Sequence, residues 1–288
     1  MIIRKLAVIG VGLIGGSLAR ALRSAGQVGE IIGCGRGRAN LEKAVELGVI
    51  DSYTHDIGEA VEGADMVFLA VPLGAMRNAF EAMQGHLADN AVITDGGSVK
   101  GSVIADCEAA YGKVLPGFVP GHPIAGTEKN GVEASFAELY QNRRVILTPV
   151  RETDETAIER VEAMWRHCGA EINRMLPVDH DRVLAATSHL PHMLAFALVD
   201  MLSRVDYEED IFKYAAGGFR DFTRIASSNP IMWRDICVAN KDAVATLVES
   251  YADEMTQLAK AIREDDIDIL TQMFTNAKKH RDAFIDGI

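Results

Sequence analysis

A glycine-rich turn near the beginning of the chain constrains its fold more than any other feature of the sequence. Residues 6–10 are an apolar run typical of a buried parallel strand, and Gly10, Gly12 and Gly15 follow in the spacing GxGxxG at the head of a helical pattern. Here Gly10 permits a tight turn, Gly12 lets the backbone approach a pyrophosphate, and Gly15 lets the helix pack closely on the strand. A glycine turn without a ligand is the alternative. The context favours a dinucleotide site, with the phosphates at the helix N-terminus.

Strand and helix patterns alternate along the chain as far as residue 176. Short apolar runs predict strands at 6–10, 30–34, 66–70, 92–95, 118–121, 144–148 and 170–173. Helical spacing predicts helices at 14–25, 40–47, 73–87, 99–110 and 155–167. Alternation of this kind predicts an α/β fold with a Rossmann-type, doubly wound parallel sheet.

From residue 177 onward the sequence shows helical patterns and no convincing strand. The predicted helices span 181–202, 210–219, 231–262 and 266–285. We therefore expect a dinucleotide-binding domain over residues 1–176 and an all-helical domain over residues 177–288. Apolar residues lie on more than one face of the C-terminal helices, which predicts a homodimer formed through the helical domain.

The end of the second predicted strand bears on the choice between NAD and NADP. An acidic residue there would bind the ribose 2′-hydroxyl of NAD, but this segment has none and carries Arg36 and Arg38 instead. The two arginines favour NADP, although solvated loop charges beside a bound NAD are the alternative. The residues predicted to contact the cofactor are Gly10, Gly12, Leu13, Ile14, Gly15, Arg36, Ala70, Val71, Pro72 and Asp95.

Net charge and cysteine usage restrict the partners and the compartment. A formal net charge of −12 disfavours nucleic acid and anionic membranes, which bind basic surfaces, so we expect a small-molecule substrate. The four cysteines are far apart and form no CxxC motif, which is typical of reduced thiols in a cytosolic protein. No signal peptide and no apolar run of membrane-spanning length are visible. The sequence therefore predicts a cytoplasmic protein.

Two glycine-rich segments follow predicted strands and carry candidate catalytic residues. Ser98 lies in TDGGSVK and His122 in GHPIAGTE. Ligands of open parallel sheets bind beyond the carboxyl ends of the strands, which is where both segments lie. A loop histidine hydrogen-bonded only to backbone is the alternative, but the position favours function.

The predicted helical domain adds histidines and arginines. His189 and His192 are three residues apart and share a helix face if the helix continues through Pro191. Because no further ligands of suitable spacing are visible, we expect no metal site. Arg220 and Arg224 are candidate anion clamps, although an arginine is more commonly a surface ion-pair partner.

Taken together, these motifs resemble the prephenate/arogenate (cyclohexadienyl) dehydrogenases of tyrosine biosynthesis. The similarity runs in the family's order through GVGLIGGS, DGGSVKG, GHPIAGTE, TSHLPH, GGFRDFTRIA and NPIMWRDI, and it covers nearly the whole chain. GHPIAGTE together with SHLPH is a specific combination, unlike the glycine motif alone. The resemblance implies a dimer formed by the helical domain, with the active site in the cleft between the domains.

The resemblance also implies a reaction, the oxidative decarboxylation of a cyclohexadiene with a carboxylate at C1 and a hydroxyl at C4. His122 would polarise or deprotonate that hydroxyl, Ser98 would hydrogen-bond in the same cluster, and Arg224 would pair with a substrate carboxylate. Further residues implied to meet the substrate are Ser188, His189, His192 and Trp233. Some members of the family carry an acid where this chain has arginines, and no residue separates prephenate from arogenate as substrate.

Two other functions remain open on the sequence alone. A β-hydroxyacid dehydrogenase or imine reductase pairs a similar first domain with helices. The hydroxyacid class uses a lysine shortly after the domain boundary, however, and residues 174–202 contain none. A non-catalytic dinucleotide sensor would need the glycine motif but not His122, Ser98 and Arg224 together.

Overall fold

A six-stranded parallel sheet lies at the centre of the first part of the molecule. The computed structural model describes residues 1–127, 129–205 and 211–286, and it forms two compact units, Met1–Lys241 and Asp242–Ile288. The strands of the large sheet are β1 (Ile3–Ile9), β2 (Val28–Cys34), β3 (Ser52–Thr54), β4 (Met66–Leu69), β5 (Val92–Asp95) and β6 (Phe118–Val119). Their order is β3-β2-β1-β4-β5-β6 with every pair parallel, which confirms the predicted doubly wound fold.

Helices cover both faces of this sheet. They are α1 (Leu13–Ser24), α2 (Arg38–Glu46), α3 (Ile57–Val61), α4 (Met76–Ala82), α5 (Lys100–Tyr111) and α6 (Glu155–His167). Successive residues of β1 point to opposite faces, so that Leu6 and Val8 join one buried cluster whereas Ala7 and Ile9 join the other. Strands β4, β5 and β6 are buried along their whole length, which explains their continuous apolar sequences.

A second, smaller sheet adjoins the end of the first in sequence. It consists of β7 (Gly121–Pro123), β8 (Arg144–Leu147) and β9 (Glu171–Arg174), with β7 antiparallel and β9 parallel to β8. The prediction of one strand over 118–121 is therefore wrong, because β6 and β7 belong to different sheets. Pro120 separates them, and a proline has no amide hydrogen with which to continue a ladder.

The rest of the first unit is helical, and no described residue after β9 lies in a strand. Helices α7 (Pro177–Leu184) and α8 (Leu190–Ser203) are joined by a π-helical turn at Ala185–His189. Further along are α9 (Gly217–Thr223) and α10 (Pro230–Ala239), with single 3₁₀ turns at Ile211–Tyr214 and Arg224–Ser227.

Two of the predicted helices have different bounds in the structure. The prediction over 210–219 begins outside the described residues, and the rest is a 3₁₀ turn followed by the start of α9. The prediction over 231–262 is interrupted, because Asn240 leaves the helical conformation at φ −116° and ψ 35°.

The length and hydropathy of the helical stretch Pro177–Ser203 bear on the expectation that no apolar segment is long enough to span a membrane. By length and by a mean hydropathy of 1.2 it is long and apolar enough to cross a membrane, so the expectation that no segment reaches this length is wrong. Length and composition alone are weak evidence for a span, since a core helix passes the same criterion. Helix α8 is apolar around most of its circumference, but Ala195 is its only buried residue in the described chain.

Two helices form the second unit. Helix α11 (Lys241–Arg263) leads into it, and α12 (Ile267–Asp286) follows after a turn at Asp265, which has a positive φ of 53°. The Asp266 carboxylate accepts a hydrogen bond from the amide of Ile269 and so caps the start of α12. Large apolar side chains of α12, among them Phe274 and Phe284, are exposed on this unit.

Candidate active site

The glycine turn between β1 and α1 lines a cavity of about 570 Å³. Gly10 has a φ of +103°, and a Cβ placed there would lie 2.4 Å from the carbonyl oxygen of Ala70 at the end of β4. Gly15 packs against the chain in the same way, because its Cβ would lie 2.2 Å from the oxygen of Gly10. Only glycine fits at either position.

Gly12 differs from these two glycines, since a Cβ placed on it would meet no atom within 4 Å. The open space above Gly12 is the cradle that a side chain would fill. It adjoins the N-terminus of α1, whose first amide groups have no acceptor within the helix. The turn therefore fits a dinucleotide pyrophosphate, which needs both the room and the amide donors.

The remaining predicted cofactor residues divide into those that line the cavity and those that support it. Arg36, Ala70, Val71 and Pro72 line it together with Gly10 and Gly12. Leu13 and Gly15 are buried under it, and Ile14 binds the Tyr140 hydroxyl through its carbonyl oxygen at 2.6 Å. Asp95 is fully buried and does not line the cavity.

The two arginines after β2 have different surroundings. Arg36 lines the cavity, near Asn40 and His55, and no acidic residue is among the described residues that line it. Arg38 points away into an ion pair with Glu42 at 2.8 Å, where 76% of its side chain is exposed. Arg36 is therefore the arginine in position to contact a cofactor.

A second cavity, of about 690 Å³, contains most of the predicted substrate residues. His122 reaches it from β7, Ser188 from the π turn and Trp233 from α10, all within the first unit. His192 and Arg224 complete the predicted set in its wall. The sequence motifs lie far apart along the chain, but the fold places these five residues around one cavity.

Trp233 holds the histidines of the helical segment in place. The His192 ring stacks on the indole with 3.7 Å between ring centroids, and the His192 Nδ1 is 2.8 Å from the carbonyl oxygen of Ser188. His189 lies edge-on to the same indole at 6.1 Å but is buried beneath it, with its Nδ1 3.3 Å from the Asn240 amide nitrogen. The two histidines, which were expected to share a helix face, both meet the indole of Trp233, but His189 does not line the cavity.

Burial keeps the histidines of this site uncharged. It lowers the pKa of His122 well below its usual value, and the nearby His180, Lys100 and His189 lower it further. Burial likewise lowers the pKa of His189 to about 4 and is the main cause of the lowered pKa of His192. A neutral imidazole at His122 can accept a proton at neutral pH, which is what a general base requires.

Ser98 precedes α5 and is half-buried, and within the described residues its hydroxyl makes no hydrogen bond. The same segment contains a buried ion pair that sequence reasoning missed. The Lys100 Nζ lies 2.5 Å from the Asp95 carboxylate and 2.6 Å from the carbonyl oxygen of Gly121, and both charged side chains have no exposed surface. The pair ties the end of β5 to the residue that precedes His122.

Sequence reasoning also missed two residues that stand behind His122. The His122 Nδ1 lies 2.9 Å from the His180 Nε2, and the His180 Nδ1 lies 2.8 Å from a carboxylate oxygen of Asp181. The available signal was His180 between two aspartates just after the predicted domain boundary, but this tripeptide belongs to no recognised motif. Among the described residues no group of three histidine, cysteine or acidic side chains could hold a metal ion.

The fold and the site define the class of this protein, an oxidoreductase that pairs a Rossmann-type nucleotide-binding domain with a helical segment carrying a substrate cavity. Two family models match the chain: the nucleotide-binding domain of prephenate dehydrogenase over residues 18–174 and the dimerization domain of prephenate dehydrogenase over residues 176–276. The chain belongs to the prephenate dehydrogenase family.

Relatives with known names or structures agree with this assignment. A cyclohexadienyl dehydrogenase of Zymomonas mobilis is 39% identical over 97% of this chain and 96% of its own length. The structure of prephenate dehydrogenase from A. aeolicus in complex with hydroxyphenyl propionate and NAD⁺ is 40% identical, with a TM-score of 0.90 over 96% of this chain and 97% of that one. Synechocystis arogenate dehydrogenase is 30% identical, with a TM-score of 0.80 over 97% of this chain and 99% of that one.

Proposed function

We propose that this enzyme catalyses the oxidative decarboxylation of prephenate, arogenate or both in tyrosine biosynthesis, with hydride transfer to a nicotinamide dinucleotide. The observation that carries the proposal is the single cavity around which His122, His192, Arg224 and Trp233 meet, in the same unit as the glycine cradle. Relatives named for both substrates match nearly the whole chain.

Each residue of the cavity has a role in this reaction. Arg224 binds a substrate carboxylate, for which the planar guanidinium is suited because it donates two parallel hydrogen bonds. The buried indole N–H of Trp233 has no acceptor within the described residues and can donate to a substrate oxygen. Ser188 and His192 shape the wall around the ring. The role of Ser98 as a hydrogen-bond partner of the C4 hydroxyl rests on the family resemblance, because Ser98 is not among the described residues that line the cavity.

His122 acts on the C4 hydroxyl. Its neutral imidazole takes the hydroxyl proton while the C–H electrons of C4 leave as hydride. The bound dinucleotide supplies the hydride acceptor. Carbon dioxide then leaves C1, its bonding electrons complete the aromatic ring, and the proton returns from His122 to the ring oxygen. The enzyme thus ends the cycle in the protonation state in which it began.

An assay of reduced-nicotinamide absorbance with prephenate and with arogenate, each with NAD⁺ and NADP⁺, tests the function directly. We expect turnover with at least one of the four combinations. A sensor would bind the dinucleotide without turnover, and a β-hydroxyacid dehydrogenase would oxidise simple hydroxyacids instead. Either result would overturn the proposal. No lysine lies among the described residues that line the substrate cavity, which supports the decarboxylating enzyme over the hydroxyacid class.

We further propose that NADP is preferred over NAD. Arg36 lines the cofactor cavity, and no acid lines it that would repel a 2′-phosphate. Arg36→Asp should raise KM for NADP and lower KM for NAD. Arg38→Asp is the matched control, because Arg38 pairs with Glu42 outside the cavity and its replacement should leave the preference unchanged. If kcat/KM of the unaltered enzyme favours NAD, this preference is wrong and the family assignment stands.

The quaternary and cellular proposals rest on the helical part of the chain. We propose a functional boundary between residues 176 and 177, where β9 has ended at Arg174 and α7 begins at Pro177. The two family models divide slightly earlier, at residues 174 and 176. The exposed apolar surface of α8 and α12 supports a homodimer formed through residues 177–288. We also propose a cytoplasmic location, as for a biosynthetic enzyme with reduced thiols and no nucleic-acid or membrane partner.

A further inference from the structure

Three side chains from two parts of the fold form a hydrogen-bonded line that ends at the substrate cavity. His122 lies on β7 and lines the cavity, whereas His180 and Asp181 lie on α7. The His122 Nδ1 is 2.9 Å from the His180 Nε2, and the His180 Nδ1 is 2.8 Å from the Asp181 Oδ1. The two imidazoles meet edge to face with their centroids 5.1 Å apart. His180 has no exposed surface, so water does not compete for its nitrogens.

The chemistry of Asp181 fixes the direction of every hydrogen bond in the line. Its hydrogen bonds from His180 and from two backbone amides lower the pKa of this carboxyl, against the opposing effect of burial. As an ionised carboxylate it can only accept. The His180 Nδ1 must therefore carry a hydrogen, and when the ring carries only this one its Nε2 is left as an acceptor. The His122 Nδ1 then donates to it, and the lone pair of His122 is on Nε2.

We infer that His180 and Asp181 are positioning residues that hold His122 in the tautomer whose unprotonated Nε2 serves the substrate cavity, and that they stabilise the imidazolium formed when this nitrogen takes a proton. This inference rests on the proposed role of His122 as the base. Without the line, a neutral histidine would exchange between two tautomers, and only one of them can accept the hydroxyl proton. The arrangement resembles a triad in its logic, with a second imidazole between the base and the carboxylate.

Asp181 is itself fixed by the helix that follows the Ser98 segment. Its two carboxylate oxygens accept the backbone amides of Lys100 at 2.7 Å and Gly101 at 2.8 Å, at the first turn of α5. The N-terminus of a helix favours a negative charge, so the helix keeps Asp181 ionised and immobile. A carboxylate held by three donors is a rigid reference point for the orientation of both imidazoles.

Two substitutions break the line in different ways. His180→Phe keeps a ring against His122 but removes both nitrogens, and it leaves the contact of Asp181 with α5 intact. Asp181→Asn places an amide beside His180 that can donate, which reverses the polarity of the line and moves the hydrogen of His122 to Nε2. We expect each variant to lower kcat by about 10²- to 10⁴-fold, with little change in KM for the dinucleotide.

The matched control is Asp179→Asn. It removes the same charge from the same helix, but the Asp179 carboxylate pairs with Arg182 at 3.1 Å and does not hydrogen-bond to His180, whose partners are His122 and Asp181. We expect unaltered kinetics for this variant. Thermal unfolding and reduced-dinucleotide binding, measured on all three variants, show whether a loss of kcat comes from misfolding. If His180→Phe folds, binds the dinucleotide and retains the unaltered kcat, the inference is wrong.

Nitrogen NMR of protein labelled at histidine gives a readout that a merely structural role would not move. In the unaltered enzyme at neutral pH we expect the His122 signal, assigned by its loss in His122→Asn, to show a protonated Nδ1 and an unprotonated Nε2. In Asp181→Asn we expect the reverse, an unprotonated Nδ1 and a protonated Nε2 on His122. A protonated Nε2 in the unaltered enzyme would overturn the inference, even if the enzyme is active.

The pH profile of kcat/KM adds an independent measurement. His122 is faced by His180 and Asp181 from α7, Lys100 from α5 and His189 from the π turn. Loss of the single negative charge of Asp181 should move the acidic limb of the profile to lower pH, because the protonated imidazoles lose their counter-ion. An unmoved limb would contradict the inferred stabilisation. If the unaltered enzyme has no dehydrogenase activity, the proposed function fails, while the NMR measurement still decides the tautomer.

Discussion

Among single residues, the site combines neutral histidines with two arginines, Arg143 and Arg224, in the wall of the same cavity. The pKa values of His122 and His192 are lowered mainly by burial, and Arg224 adds to the lowering at His192 by charge repulsion. A protein of net charge −12 repels an anionic substrate at long range, so a local cation is needed for binding. The uncharged imidazoles stay available for proton transfer and do not compete with Arg224 for carboxylates.

Replacement of His122 tests the base. His122→Asn keeps a polar side chain of similar size but cannot accept the hydroxyl proton at neutral pH. We expect kcat to fall by about 10²- to 10⁴-fold, since general-base catalysis typically contributes this much. Dinucleotide affinity, measured by the fluorescence of the reduced form, should change little because His122 does not line the cofactor cavity. Unchanged kcat would exclude His122 as the base.

Replacement of Arg224 tests the carboxylate contact. Hydrogen bonds to charged groups contribute about 1.5–3 kcal/mol each, so Arg224→Ala should raise KM for the substrate by about one to two orders of magnitude or more. The effect on kcat should be smaller, because the contact already exists in the ground state. Arg224→Lys should restore binding only in part, since an ammonium lacks the bidentate geometry.

Steady-state kinetics with varied substrate give both parameters for these variants. Arg220→Ala is the matched control, because Arg220 is an exposed arginine one helical turn earlier and does not line the substrate cavity. A loss of affinity in this control and not in Arg224→Ala would assign the contact to Arg220.

The sequence predicted the site residues that lie within motifs. It did not predict those whose role depends only on hydrogen bonds to residues distant in the chain. His122 and Arg224 lie in recognisable segments. His180, Asp181 and Lys100 have no such mark, because their importance arises from hydrogen bonds to residues up to 81 positions away. Asp95, predicted to contact the cofactor, lies instead in a buried ion pair with Lys100. A single sequence carries no information on such pairings.

At the level of elements, the bounds of helices and strands were predicted correctly where a segment of ordinary length shows one clear hydrophobic period. The predicted bounds of β5 (Val92–Asp95) and α6 (Glu155–His167) are those of the structure. Elements of only a few residues, such as β3 and α3, were missed because so short a stretch shows no period. The helix predicted over 73–87 begins as a 3₁₀ turn and its α-helical part ends at Ala82, since hydrophobic spacing continues beyond the last helical turn.

Helix α10 offers a test of how one cap supports the site. The Asn229 side chain accepts hydrogen bonds from the amides of Ile231 at 2.9 Å and Met232 at 3.1 Å, and α10 carries the buried Trp233. Asn229→Ala should lower the free energy of unfolding by about 1 kcal/mol, whereas Asn229→Asp should retain most of it because aspartate also caps helices. Chemical denaturation measures both variants. Equal stability of the alanine and aspartate variants would show that the cap contributes nothing.

For the whole molecule, we predict a homodimer at micromolar concentration. Helix α8 leaves apolar side chains such as Met201 50% exposed, and in the second unit Ile267 and Phe274 are 72% and 59% exposed. Monomeric soluble proteins rarely leave so much apolar surface open. Sedimentation velocity measures the state directly, with Met201→Glu expected to weaken the dimer and Val45→Glu, at an exposed apolar residue of α2, expected to leave it intact. A monomer at micromolar concentration would contradict the prediction.

The position of β7 at the edge of the smaller sheet affects how readily this strand opens locally. β7 is an edge strand of three residues that pairs with β8 alone, whereas β1 and β4 are paired on both sides in the large sheet. Local opening concentrates in segments with few ladder hydrogen bonds. Amide deuterium exchange should therefore be faster along β7 than along β1 or β4, so that the strand carrying His122 opens before the strands that lead into the glycine turn. A substrate that bridges Arg224 and His122 would slow exchange in β7 most of all, which would make substrate binding visible as a local stiffening of one short strand.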